Sequence, residues 1–583
     1  MKYSLTFMIF LFWEFGSARA KSYTHSEEGS CNSVDPVTAG SVYANRLITS
    51  VFDTLYEYKY LQRPFTLKPN LAKELPHISK DGLTYLIPLK RGVFFADDPA
   101  FAKGKGRELT ATDVVYSIKR HFDPKNRSRG KWVWSDLLVG LDEWSKTADY
   151  SKDVEGLKAI DRYTVQLKLS HPRPHIVYTF AHGFSAVVPK EAIDKYGKEF
   201  GLHPVGSGPW QLKELNKYQA KLKKNPNYRK EIFDIYEHGF QESEHGFTGI
   251  KSLHGKQIPL LDEVIVNFAD QKSSNWMSFA KGSEVQYTVL PPQQSAEVIT
   301  SKEPLAFHKQ YTSKYHIVPI KELAFTYFAF NMANPTFGNI PGDLAASKRN
   351  KALRCAIRKS FNWKQFIGRN FHGIGEPFPG IVPEILDDFD PSLSKESITL
   401  DPVGAKKILS QHGWTQEKLP TLDYNSYAAP NTRYQYEMFR SWLKKISWPE
   451  SKIKLKLHKS FADYLQEMRQ GNLASYATLS WNLDFPDAEN AMQLFYGAYA
   501  DGGANLSNYS NPEFDKLLDE AVKIGPSNRR KSLFRKMNEL LIEDCVVISG
   551  YSRTFILLWH KNVILYPAPH VIGNIFKFVD IKK

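Results

Sequence analysis

Cysteine is scarce in this sequence. The 583 residues include three cysteines, Cys31, Cys355 and Cys545, and none of them stands in the C-x-x-C spacing that binds zinc. At most one disulfide can form, and one thiol is then left over. The count excludes a disulfide-built scaffold and a zinc-ribbon type of domain.

Long hydrophobic runs and repeats are missing as well. The mean hydropathy is −0.41 and 42% of the residues are hydrophobic, which excludes both a multi-span membrane protein and a disordered chain. At about 150 residues per domain the length allows roughly four domain-sized units. Because no low-complexity linker separates such units, we expect lobes that share the chain.

Sequence signatures of hydrolases are also absent. We find neither an H-E-x-x-H zinc motif nor a G-x-S-x-G nucleophile motif. An enzyme is therefore not expected. A secreted hydrolase that uses paired carboxylates or a serine remains an alternative.

Acidic residues are fewer than basic ones. There are 77 Lys and Arg against 62 Asp and Glu, a formal charge of +15, which permits a nucleic acid or an anionic surface as partner. One run, Lys348 to Arg369, contains eight basic and no acidic residues. Its apolar positions fall on one helical stripe, so we interpret the charges as a solvated helix face. No nucleic-acid partner is expected.

The N-terminus has the pattern of an export signal. Lys2 provides a positive start, Leu5 to Trp13 an apolar stretch, and Ala18-Arg19-Ala20 a cleavage site. Nine apolar residues are too few for a membrane span, which needs about twenty. Residues 1–20 are thus predicted to be a cleaved signal peptide, and because Cys31 lies well downstream no lipid anchor is expected.

Periodicity predicts a mixed α/β protein. Helical spacing predicts one amphipathic helix over Ser41 to Tyr58 and another that begins at Thr110 and stops before Pro124. Alternation predicts half-buried strands over Leu83 to Lys90 and Tyr163 to Ser170. Further helices are predicted from Asp401 to Gly413 and from Asn511 to Gly525, and a strand with a lysine-rich solvated face over Ile453 to Leu457.

Several blocks, taken in order, resemble the family 5 extracellular solute-binding proteins, which are the receptors of oligopeptide and dipeptide ABC importers. They extend from about Asp35 to Tyr551 and include ELTATDVVYSIKRHFDP, VGSGPWQLKEL, KKNPNYRK, ALRCAIRKSFN, SWNLDFPDAEN and NLSNYSNPEFDKLLDEA. Each block alone is a weak signal, and their joint order carries the resemblance.

The resemblance implies a two-lobed clamshell of the periplasmic-binding-protein type (class II-like), in the α/β class, with an additional small domain and a hinge between the lobes. The expected division is lobe I over 21–66, 203–321 and 548–583, accessory domain II over 67–202, and lobe III over 322–547. Residues 231–258 look inserted into lobe I relative to the family. Their histidines fit no compact metal pattern, so we interpret them as a solvated polar loop and expect no metal.

The resemblance also implies a ligand site. Asp484 stands where peptide-binding relatives place the carboxylate that meets the ligand ammonium, although a turn aspartate would look the same. Trp481 is expected to line the cleft or to pack in the core, and Phe485 alternates with it. The loop Ala39-Gly40-Ser41 matches the place where relatives offer main-chain groups to an extended peptide, with Gly40 equally suited to a plain turn.

Two positions depart from some members of the family. Thr478 stands where some relatives have an arginine for the peptide carboxylate, which leaves the preferred peptide length open. Asn482 stands where some have a disulfide-bonded cysteine, and it excludes that bridge.

The implied function is a non-enzymatic periplasmic receptor that captures peptides between its lobes and delivers them to an ABC permease in the inner membrane. It is expected to act as a monomer without a cofactor. The alternative keeps this fold but carries a metal chelate, haem or another small solute.

Overall fold

The computed structural model describes residues 20–38, 40–269, 272–281, 285–429, 431–500 and 503–582. The predicted signal peptide, up to residue 19, lies outside the described residues. No helix of the described ranges is both long enough and apolar enough to cross a membrane.

The chain forms many short strands. Those of the first third are β1 (Ser22–Glu28), β2 (Tyr56–Tyr58), β3 (Leu67–Pro69), β4 (His77–Ile78), β5 (Thr84–Pro88), β6 (Leu157–Asp161) and β7 (Thr164–Lys168). The middle third has β8 (Trp210–Leu215), β9 (Gln219–Lys224), β10 (Glu231–Ile232), β11 (Gln257–Ile258), β12 (Glu263–Ala269), β13 (Tyr287–Val289), β14 (Ile299–Lys302), β15 (Leu305–Phe307) and β16 (Tyr315–Lys321). The last part has β17 (Ala324–Phe330), β18 (Leu422–Tyr427), β19 (Ile453–His458), β20 (Ser475–Asn482), β21 (Val547–Tyr551), β22 (Thr554–His560), β23 (Val563–Ile564) and β24 (Asp580–Ile581).

Helices of seven residues or more lie between these strands. They are α1 (Val42–Val51), α2 (Ala111–Phe122), α3 (Lys190–Tyr196), α4 (Lys272–Ala280), α5 (Leu344–Ser360), α6 (Trp363–Asn370), α7 (Pro402–Gln411), α8 (Thr432–Lys445), α9 (Phe461–Arg469), α10 (Pro512–Ala521) and α11 (Asn528–Asp544). Single helical turns, such as Ile176–Thr179 and Glu489–Met492, fill several loops.

The sheets are small and mostly antiparallel. One has the order β1-β12-β9-β8, with β1 parallel to β12, and another has the order β4-β5-β7-β6. Two three-stranded sheets, β13-β22-β16 and β20-β17-β21, lie next to each other along the chain. β18 pairs with β19 in parallel.

The chain passes between these two three-stranded sheets twice. β16 ends at Lys321 and β17 begins at Ala324, while β21 ends at Tyr551 and β22 begins at Thr554. Each crossing therefore has two connecting residues. The second crossing follows β21, which pairs with β17, and the expected division into lobes at 322 and 548 stays a prediction.

Most predicted elements are present. The strands expected around Leu83 and Tyr163 are β5 and β7, and the helix expected after Thr110 is α2, where Asp113 Oδ2 accepts a hydrogen bond of 2.9 Å from the Thr110 backbone N–H. The expected lysine-bearing strand is β19 and pairs with β18. Because one face of each of these amphipathic elements is buried, the periodicity of the apolar residues was enough to predict them.

The predicted helix over Ser41 to Tyr58 is shorter than expected. It ends at Val51, and Asp53 follows in a buried position. The Asp53 carboxylate accepts hydrogen bonds from Asn70 (3.2 Å), Ser207 (2.9 Å) and Arg229 (2.8 Å). These partners are far away in sequence, so periodicity gave no sign that the helix would stop.

The insertion is not the solvated loop that composition indicates. β10 and β11 pair at its two ends, and Phe233, Ile235 and Ile250 are fully buried in a hydrophobic core. His238 is also buried, and its Nδ1 accepts a hydrogen bond of 3.0 Å from the Tyr60 backbone N–H. The segment is part of the packed structure because several of its irregularly spaced apolar residues point inward, although Ile232, Tyr236 and Phe247 are exposed.

The basic run also differs from its interpretation as a solvated face. Arg354 and Arg358 of α5 are buried and donate to the main-chain oxygens of Asp544 and Ile542 at the end of α11. A disulfide between Cys355 and Cys545 joins the same two helices, and Cys31 is a free, buried thiol.

Candidate functional site

Asp484 lies at the wall of a cavity between distant parts of the chain. It follows β20 directly, and the cavity, of about 100 Å³, is also lined by the start of α1, by residues 182–184 and by residues 570–571. Gly183 allows the close approach of its segment to α1, because a Cβ at this position would lie 2.4 Å from Asn45 Oδ1. Four separate stretches of sequence therefore meet around one carboxylate.

Asn490 orients this carboxylate. It is fully buried, and its Oδ1 accepts hydrogen bonds from the Asp484 backbone N–H (3.1 Å) and from Trp481 Nε1 (2.9 Å). Its Nδ2 donates to Asp484 Oδ2 at 3.4 Å. Sequence reasoning missed Asn490, although it stands at the end of the same SWNLDFPDAEN block.

Partial burial changes the pKa of the Asp484 carboxyl. Desolvation raises the pKa of its carboxyl to about 6, and the hydrogen bond from Asn490 offsets only part of the rise. No ion pair neutralises Asp484 within the described ranges. A partly buried carboxylate without a cation favours a positively charged ligand group.

Two histidines at this cavity are neutral at pH 7. Burial lowers the pKa of His182 to about 4, and it also lowers the pKa of His570. A neutral His570 must donate from Nε2 to the Leu483 carbonyl, 2.8 Å away, so its Nδ1 keeps a lone pair. Among the described lining side chains, Asp484 is then the one formal charge of the small cavity.

The other predicted site residues are placed differently. Gly40 and Ser41 line the small cavity with Asp484, and Ser41 Oγ also caps α1 by accepting from the Ala44 backbone N–H at 3.1 Å. Phe485 is buried and Trp481 packs against the core, and neither lines this cavity. Ala39 lies outside the described residues.

A second cavity continues from the first. Its volume is about 260 Å³, and Val42, Asn482 and His570 line both cavities. Its charged lining consists of three cations and two carboxylates, Arg46, Lys321, Arg553, Glu27 and Glu322. Each of these lining cations contacts a carboxylate: Arg46 contacts Glu27, Arg553 contacts Glu322 and Lys321 contacts Glu384.

The two crossings between the sheets border this larger cavity. Glu322 lies in the first crossing and Arg553 in the second, and both line the cavity. Arg553 Nε and Nη2 each donate to the Glu322 carboxylate at 2.6 Å. A bidentate ion pair of this kind is among the stronger polar contacts, and here it ties the crossings together.

Further ion pairs join residues 173–175 to residues 487–489. Arg173 contacts the Glu489 carboxylate, and His175 Nδ1 lies 2.9 Å from Asp487 Oδ2. Asp487 also binds Arg530 at 2.6 Å, and this arginine with the His175 contact lowers the pKa of Asp487 despite its burial. These contacts connect the expected accessory domain to the expected lobe III on the side of the small cavity.

Metal ligands are not grouped in the described part of the chain. We find there no set of three or more His, Cys, Asp and Glu side chains placed to hold a metal ion. In the insertion, His238 and His245 make hydrogen bonds to the main chain of Tyr60 and Gln241 instead.

Comparison with known proteins gives one consistent family. A family model described as bacterial extracellular solute-binding proteins, family 5, matches residues 66–503. The chain is 23% identical to the dipeptide-binding protein of Escherichia coli K12 over 92% of this chain and 91% of that one. It is 22% identical to heme-binding protein A of Haemophilus influenzae, over 86% and 81% of the two chains.

A solved structure gives the same picture of the fold. An ABC transporter-associated periplasmic binding protein of Helicobacter pylori, in complex with the peptide STSA, superposes with a TM-score of 0.73. The identity is 20%, and 97% of this chain and 99% of that chain are covered. The chain therefore has the two-lobed fold that its sequence blocks led us to expect.

Proposed function

The chain belongs to the family 5 bacterial extracellular solute-binding proteins, and from that premise we propose that it is the peptide receptor of an ABC importer. It captures a peptide between its lobes, binds the peptide's α-ammonium at Asp484, and delivers the peptide to a membrane permease. It works as a monomer in the periplasm after removal of residues 1–20.

Asp484 carries this proposal. Its carboxylate is partly buried, has no cation beside it in the described structure, and is held by Asn490 in one orientation. An ammonium group would supply both the missing charge and up to three hydrogen-bond donors. The ligands that the relatives are named for, a dipeptide and heme, differ in chemistry, and a lone carboxylate without grouped metal ligands is better suited to a peptide.

The main-chain part of the recognition falls to Gly40 and Ser41. Both line the same cavity as Asp484 and lead into α1. Main-chain groups bind an extended peptide whatever its side chains are, and the remaining space can hold water around each side chain. Such a site selects peptides by their termini and length more strictly than by their side chains.

Replacing Asp484 by alanine tests the proposal. The change should weaken binding of a short peptide by about 2–5 kcal/mol, because the ammonium would be buried without a partner. Isothermal titration calorimetry with the mature protein measures the loss. Acetylation of the peptide's N-terminus should cost the wild type a similar amount and should cost Asp484→Ala almost nothing further.

Glu513→Ala is a suitable control, since Glu513 lies on the first turn of α10, away from both cavities. An unchanged affinity in Asp484→Ala would remove the ammonium role. Release of heme or of a metal chelate, in place of peptides, from denatured wild-type protein would show that the cargo is not a peptide.

A further inference from the structure

We propose that the larger cavity is a pocket for the side chain of the peptide's first residue, and that it selects an uncharged side chain that forms hydrogen bonds, an amide or a hydroxyl. The inference rests on the proposed peptide-binding function and adds to it a preference for one side chain. Its basis is the pairing of the charges that line this cavity and two polar side chains that the described structure leaves without partners.

The charges that line the larger cavity are already paired. Arg46 Nε lies 2.7 Å from Glu27 Oε1, and the two other lining cations also contact carboxylates. Burial lowers the pKa of His25, which lines the same cavity, so this side chain is neutral at pH 7. A charged side chain of the ligand would therefore lose its hydration without meeting a free counter-charge.

Ser26 is the first polar side chain without a partner. It lies on β1 and lines the larger cavity, it is 7% exposed, and its Oγ makes no hydrogen bond in the described part of the chain. A hydroxyl can donate one hydrogen bond and accept two. Because buried polar groups are nearly always paired in folded proteins, we expect a ligand to supply the partner of this hydroxyl.

Asn482 is the second polar side chain of this kind. It lines both cavities, and its Oδ1 is buried without a hydrogen-bond partner among the described residues. His570 also lines both cavities, and its Nδ1 keeps a lone pair. Both atoms accept hydrogen bonds, whereas the Ser26 hydroxyl can also donate one. A ligand amide, which has two N–H donors and an acceptor oxygen, complements all three groups, and a ligand hydroxyl complements two of them.

The position of Asn482 assigns the pocket to the first residue of the peptide. Asn482 precedes Asp484 by two residues in the chain, and Val42 and His570 line both cavities with it. A residue whose ammonium contacts Asp484 therefore has its side chain next to the larger cavity. The volume of about 260 Å³ leaves room for water around such a side chain.

The test uses peptides that differ in one side chain of nearly equal shape. Calorimetry on the mature wild-type protein compares Asn-Ala-Ala with Asp-Ala-Ala and Leu-Ala-Ala, and Thr-Ala-Ala with Val-Ala-Ala. We expect Asn-Ala-Ala to bind about tenfold more tightly than its two counterparts, because a peptide without the amide leaves buried polar atoms unpaired. Thr-Ala-Ala should bind about threefold more tightly than Val-Ala-Ala for the same reason. Ala-Asn-Ala and Ala-Leu-Ala, which differ at the second residue, should bind equally.

Two variants locate the preference in the protein. Ser26→Ala and Asn482→Leu should each reduce the affinity ratio between Asn-Ala-Ala and Leu-Ala-Ala to about three or less. Ser151→Ala removes an exposed hydroxyl that contacts Asp149 at 2.6 Å, and it should keep the wild-type ratio. Since Ser26 Oγ and Asn482 Oδ1 have no partner in the described structure, neither variant should lower the melting temperature of the ligand-free protein. If Asn482→Leu does melt lower, the ratio in Ser26→Ala decides.

The outcomes separate this inference from the proposed function. If none of these peptides binds, the proposed function fails and this inference with it. If the peptides bind but Asn-Ala-Ala and Leu-Ala-Ala bind equally, or if their ratio persists in the variants, peptide binding stands and the selective pocket is overturned. An equally large ratio between Ala-Asn-Ala and Ala-Leu-Ala would overturn the assignment to the first residue.

Discussion

Asp484 links peptide binding to pH. Burial raises the pKa of its carboxyl to about 6, and only the ionised form attracts an ammonium. Between pH 7 and pH 5 the ionised fraction falls about tenfold, so we expect the affinity for a free peptide to fall by about the same factor. Calorimetry across this range measures it, and Asp484→Asn should bind weakly with little change over the same pH values.

The same shift has a consequence for the ligand-free protein. Because the folded pKa lies above the unfolded value, the folded state holds the proton longer, and the carboxyl reduces stability as pH rises from about 4 to about 6. Asp484→Asn should therefore melt at a higher temperature than the wild type at pH 7.5, and the difference should vanish near pH 4. A variant that melts lower at pH 7.5 would contradict the unfavourable burial.

Part of the candidate site could be predicted from the sequence. Asp484, Gly40 and Ser41 could be named because they lie in blocks that resemble those of a known family, and the structure brings all three to one cavity. His182 and His570 lack such a signal. They come from two distant stretches, and their place beside Asp484 exists only after the chain has folded.

For the helix α5, the sequence predicted an apolar stripe with charges outside it. It did not predict the contacts of this helix with α11. Arg354 nevertheless is 1% exposed, because it turns toward the end of α11 and donates to Asp544 O through Nε (3.2 Å) and Nη2 (2.7 Å). Carbonyls at a helix C-terminus lack partners within the helix, and a cation there satisfies them.

Arg354→Met should therefore destabilise the protein. The change leaves the Asp544 and Phe337 main-chain oxygens without their donor, and we expect a loss of about 2–4 kcal/mol in the free energy of unfolding. Urea unfolding followed by tryptophan fluorescence measures it. Lys348→Met, an exposed position on the same helix, should change stability by less than about 0.5 kcal/mol; equal losses in both variants would refute the capping role.

For the molecule as a whole, ion pairs join residues 173–175 to residues 487–489, which the proposed division assigns to domain II and lobe III. Arg173 contacts Glu489, whose side chain is 2% exposed. Glu489 remains near Arg530 but loses its direct partner when Arg173 is removed. Neither residue lines the two cavities, so any effect on the ligand must come through closure.

Arg173→Gln should raise the peptide Kd by roughly 5–30-fold, the equivalent of about 1–2 kcal/mol, mainly through faster dissociation. Stopped-flow kinetics gives the rates, and small-angle X-ray scattering should show a larger radius of gyration for the ligand-free variant than for the wild type. The charge exchange Arg173→Glu/Glu489→Arg should recover most of the affinity. If the exchange binds no better than the single variant, the pair does not act across the cleft.

The fold was the part of the whole molecule that the sequence predicted best. Amphipathic periodicity and the order of the family blocks were enough for a two-lobed α/β protein, and the superposition on a solved relative agrees. The end of α1, the packed insertion and the position of the second crossing were not predicted. Each depends on residues far apart in sequence, such as Asp53 with Arg229 or β17 with β21.

The two crossings also decide how far each part of the molecule travels. A rotation of one three-stranded sheet against the other would turn about an axis through residues 322–323 and 552–553, which the Glu322–Arg553 ion pair joins. Both residues line the larger cavity, so a bound ligand would lie close to this axis. A point three times as far from the axis moves three times as far. The outer rims of the lobes, where a permease would make contact, would therefore move further than the residues around a small bound peptide.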